Sequence, residues 1–457
     1  MGFTEDRGTV EWLPWCSESF ARARAEQKPI LLSIVATWAR GCAEMDRVSY
    51  GDRATAQLIN ASVVAVRIDA DERPDLADRY DLGGLPTTAF LTADGDLLGG
   101  GTFVSAPRLC AAVSKAAGAV SRGTTSVLRA PSAGTTTTEQ LLASVFGAFD
   151  DRHAGFGTAP KFPLTAPVRL AIDLYAQGDA PEMLDPAVRT LDAVGWGPLY
   201  DEEHGGFFRC ASHADWTDPQ PEKLLATNAA LLDLYLHAGQ VLGHDRWFAR
   251  AADVVHYLNR ALSTGGPWRI SECADPARQF TDSNALTVSA MLHAAAVFQD
   301  DALGKRTLDA FERVLLPAYK PGEGVAHHAN GVRGLLGDQV AIATASLDAW
   351  EATGNIVYRM MAEELMHYTL RTMWDTAGGG CFDHAVDADG SGPLGGCARP
   401  FVLNCDAAIV LRRLAEAVND AAFGQRAVEA LDAMSSRAPE FGPLAAHYLL
   451  AERAVRR

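Results

Sequence analysis

The chain has 457 residues, long enough that two cores are the natural expectation, and 48% of it is hydrophobic. Its 57 acidic and 40 basic residues leave a formal charge of -17, a field that repels phosphate backbones and anionic lipid and speaks against nucleic-acid or membrane partners. No apolar run approaches the roughly 18 residues that span a bilayer, and Met1–Arg7 has no apolar secretory core, so the expected location is cytoplasmic.

The N-terminal third alternates helix and strand signals. Ser17–Gln27 has helical spacing with Ser17 as a cap, and Lys28-Pro29 ends it. Ile30–Ala36 is an apolar strand that runs into Thr37-Trp38-Ala39-Arg40-Gly41-Cys42 and then a helix, interrupted near Ser49–Asp52 and resuming to about Asn60. Ser62–Asp69 is a second, β-branched strand, and Asp71–Tyr80 a short helix. Pro86 leads a strand to Leu91, Asp94-Gly95 signals a hairpin, and Pro107–Val120 is a final helix.

That order, with a buried strand ending in Trp-x-x-x-Cys, resembles thioredoxin-like domains. The resemblance implies a site built from Trp38, Cys42 and Pro86, with Pro86 cis. It also implies a first cysteine at position 39, where this chain has Ala39. Thiol–disulfide exchange needs an attacking thiolate and a second thiol, so dithiol oxidoreductase chemistry is not expected. Cys42 is left as a small apolar packing residue, a single-thiol nucleophile or sensor, or a metal ligand. A lone cysteine is a poor soft-metal site, and neither a metal nor another cofactor is expected. The other seven cysteines, Cys16, Cys110, Cys210, Cys273, Cys381, Cys397 and Cys405, form no Cys-x-x-Cys pair and fit a reducing compartment.

Residues 122–138 are rich in Ser, Thr and Gly and read as a linker between a domain at 1–121 and another at 139–457. Beyond it strand signals fade. About twelve helical segments follow, from 139–149 to 443–455, some apolar nearly all round and others amphipathic, as two concentric layers require. A loop phrase recurs at Phe149–Gly157, Tyr200–Phe207 and Trp374–Phe382, starting aromatic-Asp and ending in glycine and an aromatic ring. The repeat supports a closed toroid of helical hairpins.

At this point the whole chain resembles the spermatogenesis-associated thioredoxin-like proteins, a thioredoxin-like domain joined to an (α/α)6 toroid of the six-hairpin glycosidase type. The residues that carry the resemblance are Glu11-Trp12-Leu13-Pro14-Trp15, Cys42-Ala43-Glu44-Met45, Asp69–Asp75, Ala159-Pro160-Lys161-Phe162-Pro163, Glu222-Lys223-Leu224 with Asn228, Thr281-Asp282-Ser283-Asn284-Ala285, Asp338 and Asn404. The chain departs from the pattern at Ala39, Ala43 and Gln220, and reads as a diverged, shortened member.

The resemblance implies that polar residues at the starts of inner helices converge on a central funnel suited to a hydroxyl-rich, sugar-like ligand. Glu222, Asp282 and Asp338 are the candidate catalytic acids. Lys161, Lys223, Asn228, Asn284, Asn404 and His204 are candidate substrate-binding residues, and His153, His204, His327 and His328 candidate bases. An Asp at a helix start is also a common cap, and Glu222-Lys223 also fits a structural ion pair. Three functions stay open: a sugar-acting isomerase or hydrolase with the thioredoxin-like domain as structural or lid module, a non-catalytic binding or scaffold protein, and a single-cysteine thiol protein working through Cys42. The expected partner is a small molecule, with a protein partner through the thioredoxin-like domain held open.

Overall fold

The computed structural model describes residues 9–122, 136–386, 394 and 396–456, and most of the expected linker lies outside them. The chain divides into two compact units, Met1–Pro131 with Val386–Ala398, and Ser132–Ala385 with Arg399–Arg457.

In the first unit, α1 (Ser17–Glu26) leads to β1 (Ile30–Val35), then α2 (Arg40–Met45), a π-turn at Asp46–Tyr50, α3 (Arg53–Ser62), β2 (Val64–Asp69), α4 (Pro74–Arg79), β3 (Thr87–Leu91), β4 (Leu97–Gly101) and α5 (Ala106–Ser121). The sheet order is β2-β1-β3-β4. β1 pairs in parallel with β2, Ile30 opposite Val64, and antiparallel with β3, Ile30 opposite Leu91. β1 is apolar on both faces because both are covered. Ile30, Leu32 and Ile34 pack with Phe20 and Leu76, whereas Leu31 packs with Met45, Ile59, Leu109 and Val113. The helix interruption expected near Ser49–Asp52 is a restart: the Asp52 carboxylate accepts from Thr55 N at 2.8 Å and caps α3. Gly100 is required where β4 crosses β3, since a Cβ there would stand 2.2 Å from Thr88 O.

Among the described residues the second unit holds twelve α-helices: α6 (Thr138–Gly147), α7 (Thr165–Ala176), α8 (Leu184–Gly195), α9 (Leu225–Leu242), α10 (Asp245–Tyr257), α11 (Thr281–Phe298), α12 (Asp301–Ala318), α13 (Leu336–Thr353), α14 (Ile356–Thr372), α15 (Phe401–Val418), α16 (Ala421–Ser435) and α17 (Ala446–Val455). α7, α9, α11, α13, α15 and α17 each pack on the next, and α17 returns to α7, closing an inner ring. α8, α10, α12, α14 and α16 cover their inner partners, and α6 packs on α17. This is an (α/α)6 toroid. Sequence dictates the layering: α9, α11 and α13 bury residues on every side, whereas α10 and α12 bury a single face.

The two ends of the ring differ. From α9, α11, α13 and α15 to the outer helix that follows, the chain turns in two residues, for example Gln299-Asp300 and Asn419-Asp420. The first residue of each sits at positive φ, 54° and 53°, and the second caps the next helix. From outer to inner helix the links are long, and they carry the expected functional residues to the inner-helix N-termini.

Candidate active site

The recurring loops are pinned from within. Asp201 Oδ1 accepts from the backbone N–H of Glu203 and His204, each at 3.0 Å. Lys223 Nζ then donates to Asp201 Oδ2 at 2.7 Å and to Gly205 O at 2.8 Å. Lys161 makes the matching bond on the first loop, donating to Asp150 Oδ2 at 2.6 Å, and ties that loop to the α8–α9 link through Ala214 O at 2.8 Å. Arg399 does so on the third, 3.2 Å from Asp375 Oδ2 and 3.1 Å from Gly379 O. Burial works to raise the Asp150 and Asp201 pKa values, but the lysine and backbone hydrogen bonds win and hold both below the usual carboxylate range. Lys161 and Lys223 are therefore loop anchors, fully buried and 5% exposed.

The carboxamides do a matching task. Asn228 accepts from Phe207 N at 2.7 Å and donates to Phe207 O and Leu224 O. Asn284 does the same with Trp268 and Phe280, and Asn404 with Cys381 and Pro400. Gln339 supplies the fourth copy on Val325 and Leu335. Each side chain ties a loop strand to the first turn of an inner helix, and all four are buried. Asn228, Asn284 and Asn404, candidate substrate-binding residues in the sequence, have these donors and acceptors engaged by backbone. The loop histidines are similar: His153 and His204 sit beside the Asp150 and Asp201 that close their turns, with His204 63% exposed. Glu222 and Lys223 precede α9, which begins at Leu225, rather than lying inside it. Glu222 is 8% exposed and 4.0 Å from Arg209.

One cluster has a different character. Thr281 N donates to His327 O at 2.8 Å and Thr281 Oγ1 to Ala326 O at 2.7 Å, fastening the α12–α13 loop to the start of α11. This brings Asp282, His327 and Asp338 together at the inner-helix N-terminal end. His327 Nδ1 lies 2.9 Å from Asp338 Oδ1, with both side chains almost fully buried. Phe280 packs on the His327 ring at 5.0 Å between centroids. Burial pushes the Asp338 carboxyl up to about 6; His327 opposes that rise and the nearby charge of Asp282 adds to it. Burial, followed by the charge of His327, lowers His328. Asp338 is thus a buried carboxyl held above the usual carboxylate range, and Asp282 is the least buried member of the cluster.

Deeper along the ring, on inner-helix faces absent from the sequence reading, polar side chains connect neighbouring helices. Arg169 on α7 meets Asp233 on α9 at 2.5 Å, and Asp233 accepts from His293 on α11 at 2.7 Å. His237 and Asp173 pair at 2.7 Å, and Arg413 on α15 donates to Asp348 on α13 at 2.7 Å. A residue on α9 that reaches both ring neighbours faces the axis. Arg169 and Asp233 keep 38% and 36% side-chain exposure there, so water reaches the axis. Burial tends to raise the Asp233 pKa, yet the hydrogen bond from His293 and the charge of Arg169 hold it low. Asp282 and His293 are eleven residues apart on α11, about 16 Å at 1.5 Å per residue. The signal available in sequence was polar residues at helical spacing inside apolar helices: Arg169 with Asp173, and Asp233 with His237 and Gln240.

In the first unit, the Leu85–Pro86 bond is cis, as the resemblance implied. Trp38 Nε1 donates to Asp71 at 2.8 Å. Ala39 occupies the N-cap position of α2 without a side-chain hydrogen bond, and Cys42 is 4% exposed, with Ala36 N 3.4 Å from its Sγ.

An α/β unit of this topology followed by a closed six-hairpin ring defines a two-domain protein whose helical part has the fold of sugar epimerases and glycosidases. Residues 4–117 match the family Thioredox_DsbH, described as a protein of unknown function, DUF255. Over 308 residues the chain is 25% identical to spermatogenesis-associated protein 20 of Mus musculus, covering 58% of this chain and 39% of that protein. The ring is similar to D-mannose isomerase, with a TM-score of 0.54 at 14% identity over 65% of this chain and 84% of that one. It is similar also to cellobiose 2-epimerase from Spirochaeta thermophila DSM 6192, with a TM-score of 0.54 at 16% identity over 70% and 96%. Identities this low show the fold alone. The chain is a homologue of spermatogenesis-associated protein 20 with a DUF255 domain at its N-terminus. It spans 39% of the length of that protein and 43% of that of a Caenorhabditis elegans relative. Among the described residues no helix is long and apolar enough to cross a membrane.

Proposed function

We propose that the helical ring is an enzyme of isomerase, epimerase or hydrolase type acting on a small, hydroxyl-rich, sugar-like molecule. The observation that carries this reading is the Asp282–His327–Asp338 cluster at the mouth of a ring whose axis is polar and reached by water. Asp338, with a pKa near 6, and His327, 2.9 Å away, form a proton-transfer pair. Asp282 faces the ligand, and the charged side chains of the axis offer hydrogen bonds to its hydroxyls. The isomerase and epimerase named above share this fold and lend the substrate class its support.

The thioredoxin-like domain has a structural role in this proposal, because Ala39 stands where the attacking thiol would be. A cytoplasmic setting fits eight scattered cysteines with no Cys-x-x-Cys spacing. Glu222, beside Arg209, acts in loop anchoring rather than in the reaction.

The test is a panel of aldoses, ketoses and disaccharides followed by NMR in D2O, where isomerisation or epimerisation through proton abstraction can place solvent deuterium on carbon and hydrolysis yields a new reducing end. Asp282→Asn is expected to lower turnover roughly 10²–10⁴-fold and Glu222→Gln to leave it near wild type. A protein that neither binds nor turns over any member of the panel would sink the proposal.

A further inference from the structure

We propose that Asp282, His327 and Asp338 bind a divalent transition-metal cation. This rests on the reading of the cluster as the reacting centre, and it changes what occupies that centre. The three side chains offer one imidazole nitrogen and two carboxylate oxygens, and these donor atoms all lie within 4.8 Å of one another. Two atoms bound to one cation at about 2.1 Å stand about 3.0–3.4 Å apart for angles between octahedral and tetrahedral. His327 Nδ1 and Asp338 Oδ1 are already 2.9 Å apart. Two ligands are therefore preset, and Asp282, the least buried of the three, has to close by only about 1–2 Å to complete the set.

A second observation points to a missing positive partner. The Asp338 side chain is 1% exposed, and its Oδ2 makes no well-aligned hydrogen bond among the described residues, the Asp282 N–H being the one backbone donor that acts on this carboxylate besides the His327 ring. Buried carboxylate oxygens are normally paired or bound to a cation. The neighbouring polar groups are committed elsewhere: Thr281 Oγ1 to Ala326 O, and Asn284 to Trp268 and Phe280. Asp282 and Asp338 lie in the first turns of α11 and α13, whose dipoles contribute partial positive charge. Two full carboxylate charges outweigh those partial charges, so the site still attracts a cation.

The donor set selects the ion. One imidazole with two carboxylates suits Mn²⁺, Fe²⁺, Co²⁺ or Zn²⁺ better than soft Cu(I), and better than Ca²⁺, which takes oxygen ligands alone. Binding at Nδ1 displaces the proton shared with Asp338 Oδ1, which passes to solvent. Three protein ligands leave coordination positions open for water or for neighbouring hydroxyls of a polyol. These ligands are 45 and 11 residues apart, as 282, 327 and 338 show, with none of the short spacings that betray a metal motif in sequence.

The test uses the full chain, stripped with chelator and dialysed, and reads cation binding with no substrate present. Titration with Mn²⁺ and Zn²⁺ by calorimetry is expected to show one site per chain, and Co²⁺ to give visible d–d absorption. Asp282→Asn and His327→Gln are each expected to weaken binding at least tenfold, and His244→Ala, exposed at the opposite end of the ring, to leave it unchanged. Far-ultraviolet circular dichroism verifies that each variant is folded. Absence of saturable binding to the wild type, or binding that survives both substitutions, overturns the inference. If no cation binds yet Asp282→Asn abolishes turnover, the cluster works by proton transfer alone; if a cation binds and no sugar is turned over, the inference stands and the enzymatic proposal fails.

Discussion

Replacing Asn284 by alanine separates a structural carboxamide from a ligand-binding one. Asn284 is 1% exposed, and its side chain accepts from Trp268 N at 2.8 Å and donates to Trp268 O at 3.0 Å and Phe280 O at 2.8 Å. Phe280 O keeps the helical bond from Asn284 N at 3.2 Å. The truncation thus leaves two backbone groups of Trp268 deprived inside the core. At about 1–3 kcal/mol for each buried group left unsatisfied, the toroid should lose about 2–6 kcal/mol. Asn284→Asp should cost at least as much at neutral pH, because an oxygen then faces two carbonyl oxygens. Urea unfolding followed by tryptophan fluorescence and far-ultraviolet circular dichroism measures the loss, with an unchanged m-value showing that the transition itself is the same. A loss under about 1 kcal/mol, joined to a loss of ligand binding, would refute the reasoning and return Asn284 to the substrate.

Two further outcomes follow from the same geometry. The Asp338 carboxyl rises from an ordinary 3.8 to about 6 in the folded chain, so between those values the folded state holds more protons than the unfolded one. Stability from this group is complete below pH 4 and is lost as pH rises through 6, by about 3 kcal/mol at most; Asp338→Asn should flatten that decline, and an unchanged pH–stability profile would contradict it. Cys42 is buried and Cys273 exposed, so a thiol reagent should modify Cys273 in the native protein and reach Cys42 only on unfolding, whereas Ala39→Cys should let an oxidant close a disulfide with Cys42; rapid native labelling of Cys42 would give the first domain a thiol role.

Much of the fold was legible before any coordinates. Ile30–Val35 reads as a buried strand because six apolar or small residues in a row need cover on both faces, and cover exists on both. The inner helices α9 and α11 read as buried because their apolar residues run all the way round. The loop phrase was also legible, although its meaning was not: Asp150, Asp201 and Asp375 recur because each closes a turn and receives a cation. Glu222 and Lys223 stand just before the apolar run of α9, yet the Glu222 carbonyl accepts from Arg209 N in the preceding loop, a contact that periodicity cannot register.

Sequence alone determined the element types, the order of the two folds and the absence of sulfur at position 39, since these depend on residues close together in the chain. Tertiary structure alone decided which polar side chains face backbone and which face the axis. Asn284 and Asp282 are two residues apart on one helix, and a rotation of about 200° sends one into the loop above and the other toward His327 and Asp338. Arg169, Asp233 and His293 meet across separations of 64 and 60 residues, and only ring closure brings such distant positions within hydrogen-bond reach.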